Sequence, residues 1–204
     1  MSFDSDAKNW DTDLRINRAR VIADEIGKYI DSDKQYSAME FGCGTGLISF
    51  NLHDKFKNIT LIDSSQGMIE ILNSKISNYK INNMIPYHLD ITNSEASNLN
   101  FDVIYNSMVL HHIPDTNEII KDFYKLLNKE GYLFIVDLDE DDGSFHSNYS
   151  EYDGHNGFNQ EHLKSILSSA GFKDIESSTF YYGEKRIEEK VVNYSLFLMR
   201  ARKY

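Results

Sequence analysis

The sequence predicts an α/β protein built on a mainly parallel sheet. Three observations carry that expectation. Short apolar runs of strand length alternate with stretches of helical period, the first run ends in a glycine-rich turn, and two strand candidates in succession close the chain. Composition agrees with a globular domain. The chain has 204 residues, 41% of them hydrophobic and 26% charged, enough for one domain with a sizeable core. Lys and Arg number 21 against 32 Asp and Glu, a formal charge of -11, which disfavours a nucleic-acid backbone as partner. One cysteine, Cys43, excludes an intrachain disulfide and a zinc site made of several thiolates, and points to a reducing, cytoplasmic setting. The first residues are acidic and no long apolar run follows, so neither a signal peptide nor a membrane span is expected.

In chain order, residues 13–30 form the first helical candidate, with Ile22, Ile26 and Ile30 on one face beside Ala19 and Ala23. Residues 36–41 read as a buried strand, 45–52 as a helix and 58–62 as a second strand ending at Asp63. Ser64 or Ser65 can cap the next helix, whose stripe is Met68, Ile71, Leu72 and Ile76. The third strand, 84–89, contains Pro86, which cannot donate to a ladder and so argues for a sheet edge. A fourth strand at 101–106 precedes a helix from Thr116, with Gly131 expected as its stop, and 132–136 is the fifth strand. The acidic run 137–142 reads as a solvated loop and opens a long polar connection reaching Phe158. Asn159 can cap a helix ended by Gly171, and strands at 175–182 and 194–199 complete the chain. No repeat or low-complexity tract interrupts this series, which reads as a single domain over 1–204 with an N-terminal helical cover, 1–35, on a core of 36–204.

The segment richest in chemical information is Glu40-Phe41-Gly42-Cys43-Gly44-Thr45-Gly46. Glycines at a strand-to-helix turn supply positive φ and let backbone approach a ligand. The pattern is G-x-G-x-G with Leu47 where the dinucleotide fingerprint has its last glycine, and no Lys-Ser/Thr follows as in a P-loop. Asp63 stands at the spacing where such folds bind two ribose hydroxyls, although a carboxylate before serines can also be a helix cap. Asp90, at the end of the third strand, could accept from an adenine amino group.

These residues resemble the class I S-adenosylmethionine-dependent methyltransferases. The resemblance rests on the glycine segment, Ile62-Asp63-Ser64-Ser65-Gln66-Gly67-Met68, Leu89-Asp90, Phe101-Asp102-Val103-Ile104 leading to Leu110-His111-His112-Ile113-Pro114-Asp115, and Gly131-Tyr132-Leu133-Phe134-Ile135. It implies a Rossmann-like, doubly wound sheet of about seven strands in the order 3-2-1-4-5-7-6, the last antiparallel. It also implies that S-adenosyl-L-methionine is the cofactor, S-adenosyl-L-homocysteine the product, and no metal is needed. Glu40 and the backbone of Gly42, Gly44 and Gly46 would hold the methionine end and Asp63 the ribose, with Ser64 beside it as a further cofactor-binding residue. Met68 would meet one adenine face, Asp90 with the Ile91 backbone the adenine edge, and the Asn106 backbone the methionine amino group. Trp10 and the first helix resemble the family's cover over the cofactor. Met68 also fits a plain core position, and Cys43 that of a small buried residue.

The loop histidines His146 and His155 are expected on the rim facing the transferred methyl group and are the candidate bases for an O–H or N–H acceptor. Their spacing to Asp137 or Asp139 fits no familiar metal-ligand pattern, and His111 and His112, being adjacent, point apart on a helix. The Asn/Asp-Pro-Pro-Tyr motif of amino-group methylation, the extra aspartates of metal-dependent catechol chemistry and the cysteines of arsenic methylation are all missing. The expected activity is therefore methyl transfer to a small-molecule acceptor by in-line displacement, with no nucleic-acid or membrane partner. A non-catalytic cofactor-binding regulatory module and a dinucleotide oxidoreductase are the alternatives.

Overall fold

A computed structural model describes residues 3–89, 99–148 and 152–204. Its seven strands are β1 (Ser37–Phe41), β2 (Asn58–Asp63), β3 (Met84–His88), β4 (Phe101–Ser107), β5 (Leu127–Leu138), β6 (Lys173–Ile187) and β7 (Lys190–Arg202). They make one sheet in the order β3-β2-β1-β4-β5-β7-β6. β1 and β2 pair in parallel, as do β2 and β3, while β7 runs antiparallel to both β5 and β6. The expected Rossmann-like order and antiparallel last strand are thus present, and Pro86 does lie on an edge strand, opposite Leu61. The chain divides into two compact units, Met1–Tyr105 and Asn106–Tyr204.

In the first unit, α1 (Phe3–Asp6), α2 (Asp13–Gly27), α3 (Ser49–Leu52) and α4 (Gln66–Tyr79) accompany β1 to β3. Thr12 caps α2 by accepting from Arg15 N, and Ile22 and Ile26 on its inner face are fully buried. Residues 45–52 are a single helical turn, α3, preceded by turns, because Gly44 and Gly46 take positive φ (53° and 79°) and hold the backbone out of helix. Ser65, not Ser64, caps α4: its hydroxyl accepts from Met68 N, while Ser64 is exposed. Met39, Leu61, Met68 and Leu72 are part of the buried core.

In the second unit, α5 (Thr116–Leu126) and α6 (Gln160–Ala170) accompany β5 to β7. Asp115 caps α5, and Ile119, Ile120 and Phe123 are buried beneath it. Gly131 is not the stop of that helix. The chain turns extended at Leu127, and the left-handed residue is Glu130 (φ 66°), so β5 starts five residues before the expected strand. Gly171 does end α6 in the left-handed region (φ 109°), as its position predicts. The final hairpin is longer than its apolar runs suggest, closing through Glu188 and Glu189 between Ile187 and Lys190.

The acidic run 137–142 is not a solvated loop. Asp137 belongs to β5 and is fully buried, and Asp139 accepts from Gln160, Thr179 and Ser195. Asp141 accepts from the amides of Gly143 and Phe145, and Asp142 from that of Ser144. These carboxylates organise the connection after β5 by satisfying its backbone donors.

Candidate functional site

Beyond the C-terminal end of β1, the amides of Gly42 and Cys43 donate to the carbonyl of Ile62 on β2, fixing the glycine turn to the neighbouring strand. Asp63, at the end of β2, accepts from Gly44 N at 2.7 Å through one carboxylate oxygen and from Ser65 N at 2.8 Å through the other. Partial burial raises its pKa, and the two amide bonds oppose that shift. A carboxylate offers about four lone-pair sites, so one on each oxygen still serves a pair of hydroxyl donors. This donor set fits a ribose, and the left-handed Gly44 beside it lets a ligand approach the backbone.

The N-terminal segment lies over this turn. Trp10 Nε1 is 3.7 Å from the point a side chain on Gly44 would occupy, and the Arg15 guanidinium stacks 3.9 Å above the Trp10 ring. Asp11 accepts from Lys75 Nζ (2.7 Å) and from the Thr45 hydroxyl, and Lys75 also donates to the Thr45 carbonyl at 2.8 Å. Asp4 accepts from Ser65 Oγ (2.6 Å) and Gly67 N (2.9 Å), a carboxylate on the N-terminus of α4. Residues 3–11 thus dock on the glycine turn and α4; they fall within the 1–35 segment expected as a cover, where Trp10 is the one residue singled out by number and Asp4 and Asp11 are not. A carboxylate in a short acidic leader carries no signal of where it docks.

Glu40 is 2% exposed and takes the Ser49 hydroxyl as donor, while Ser49 also meets the Tyr105 hydroxyl at 2.6 Å. Burial raises its pKa to about 8, with the Ser49 hydrogen bond opposing. Met68 is buried beneath the α4 cap, and a side chain on Gly46 would run into Leu72 and Phe50. Cys43 is buried, and burial pushes its thiol well above the ordinary value, as suits an inert core residue. Ser64 contributes its carbonyl to the His88 ring at 3.0 Å. Asp90 and Ile91 lie outside the described residues.

In the second unit, Asn106 is fully buried, and neither atom of its side-chain amide has a hydrogen-bond partner among the described residues. His146 and His155 have different ring neighbours. The His146 ring stacks on Tyr152 (centroids 3.8 Å, planes 11° apart) and lies 5.1 Å from His111 and 5.8 Å from His112. His155 is committed elsewhere: Nε2 meets the Ile113 carbonyl at 3.0 Å and the Thr116 hydroxyl at 3.2 Å. Asp137 anchors the cluster, accepting from His111 Nδ1 at 2.5 Å and from the amides of His111 and Leu138. Desolvation, helped by the His111 charge, lowers His112 and His146 each to about 4, so both rings are unprotonated at neutral pH. Residues 111 and 146 are distant in sequence, and only folding brings them together.

A glycine turn bonded to a strand-end carboxylate, on a sheet of this order, defines a nucleoside-binding α/β protein. The methyltransferase domain family matches residues 14–177. An uncharacterized methyltransferase of Schizosaccharomyces pombe is 32% identical over 154 residues, covering 69% of this chain and 54% of its own length. A ubiquinone biosynthesis O-methyltransferase of Pelagibacter ubique is 30% identical over 107 residues, covering 52% of this chain and 44% of its own. The chain thus spans about half the length of these curated relatives. A solved SAM-dependent methyltransferase of Thermotoga maritima shares the fold at TM-score 0.72 and 18% identity, covering 99% of this chain and 98% of that one. The chain belongs to the methyltransferase domain family, of the class I S-adenosylmethionine-dependent type. Its cofactor is S-adenosyl-L-methionine, and the family needs no metal for methyl transfer.

Proposed function

We propose that this chain, acting as one domain over residues 1–204, transfers a methyl group from S-adenosyl-L-methionine to a small-molecule acceptor in the cytoplasm. The observation that carries the reading is Asp63 held against the glycine turn at Gly44, with Trp10 over the same glycine. The bound cofactor supplies a methyl group on a cationic sulfur that leaves as a neutral thioether. The chain's own work is alignment and exclusion of water: Asp63 fixes the ribose, the Gly44 backbone allows close approach, and the 3–11 segment covers the turn. The charge of -11 supports a small acceptor over nucleic acid, and the Pelagibacter relative is an O-methyltransferase of ubiquinone biosynthesis. For a neutral acceptor a proton must also leave, and the loop histidines His146 and His155 are the candidate bases for it.

Calorimetry with S-adenosyl-L-homocysteine tests the cofactor site. Saturable binding is expected, weakened about a hundredfold by Asp63→Ala because two hydrogen bonds to a charged acceptor are lost. No binding by the intact chain would overturn the reading. Binding without methyl transfer across a broad acceptor panel favours the regulatory-module alternative.

A further inference from the structure

We infer that His111, His112 and His146 form a binding site for one divalent ion of the zinc class. A ring nitrogen from each lies within 4.8 Å of the others, the one such histidine, cysteine or carboxylate group among the described residues. Nitrogens around a tetrahedral ion at about 2.0–2.1 Å stand about 3.3 Å apart, so closure asks for ring movements of about an ångström, within the broad χ2 freedom of histidine.

Two features make this more than proximity. Asp137 holds Nδ1 of His111 at 2.5 Å and is itself fixed by the amides of His111 and Leu138, leaving Nε2 as the nitrogen to offer. That is the carboxylate–histidine arrangement that orients metal-binding imidazoles. The flat stack on Tyr152 sets the His146 ring, and the Tyr152 hydroxyl donates to the carbonyls of His111 and His155. Three imidazoles without a carboxylate in the set favour zinc, cobalt, nickel or copper over magnesium or calcium. Three protein ligands also leave a fourth position for water or an outside oxygen or sulfur donor. The ring nitrogen of His146 that would coordinate is then no longer a proton acceptor, and a bound ion would itself lower the pKa of such a donor. Metal binding goes beyond the methyl-transfer reading and does not rest on it.

The full chain, stripped with EDTA, is titrated with Co2+ and followed in the visible range. The expected result is a ligand-field spectrum saturating at one equivalent per chain and displaced by Zn2+. His112→Gln and His146→Phe are each expected to weaken binding at least about tenfold, whereas His162→Gln, an exposed histidine on α6, leaves it unchanged. His146→Phe keeps an aromatic ring on Tyr152 and His112 is half-buried, and circular dichroism checks that both variants fold. Failure of the intact chain to bind either ion saturably, or equal binding by the two cluster variants and His162→Gln, overturns the proposal. S-adenosyl-L-homocysteine binding measured on the same samples is read separately, so failure of the metal site leaves the cofactor reading standing.

Discussion

Glu40, one residue before the end of β1, holds its carboxyl out of reach of water, and that burial raises its pKa from 4.5 to about 8. Between those values the unfolded chain has released a proton that the folded chain retains. Stability therefore falls as pH rises from about 4.5 to 8 and levels off above it. Glu40→Gln, uncharged throughout, is expected to flatten this part of the profile and to gain about 1–3 kcal/mol over the wild type at pH 8.5 relative to pH 5.5, as read by urea unfolding. An unchanged slope would mean that the carboxyl ionises freely. Gly46 makes a different demand. With φ at 79° and a would-be Cβ 2.6 Å from Leu72 Cδ1, Gly46→Ala combines backbone strain with overpacking. A loss of about 2–4 kcal/mol is expected in denaturant titration. The glycines were legible as a turn in the sequence, but only the packing tells Gly46, which seats Leu72, from Gly44, which faces Trp10.

Among the elements, α6 is the one whose two ends were both legible. Asn159 accepts from His162 N at 3.1 Å, and Gly171 takes the left-handed stop. Asn159→Ala should lower stability by about 1 kcal/mol, seen as a drop in melting temperature with the far-ultraviolet spectrum unchanged. The α5 to β5 junction was not legible. Gly131 looks like a stop, yet Glu130 carries the positive φ, a placement its side chain does not favour and tertiary packing imposes. The final hairpin was underestimated for a related reason. Its tip is polar, and its Glu188-Glu189 turn, with Glu188 at φ 52°, has no Asn-Gly or Gly-Gly signature.

At the scale of the whole molecule, ligand binding to the folded state alone must raise its stability. Addition of S-adenosyl-L-homocysteine at about a hundred times its dissociation constant is expected to stabilise the chain by about 2.7 kcal/mol, visible as a rise in melting temperature. Asp63→Ala should lose most of that rise at the same concentration, and NAD(H) should give none in either protein. The sequence by itself determined the α/β class, the edge placement of the third strand and the glycine turn with its carboxylate. Each follows from local physics: hydrophobic period, a missing proline donor, and the conformational freedom of glycine. Tertiary structure alone decided that Asp4 docks on α4, that Ser49 and Tyr105 enclose Glu40, and that Asp137, His111 and His146 converge. Those contacts join positions from nine to more than sixty residues apart, and the free energy that forms them comes from burial of neighbouring apolar faces, which leaves no local mark in the chain.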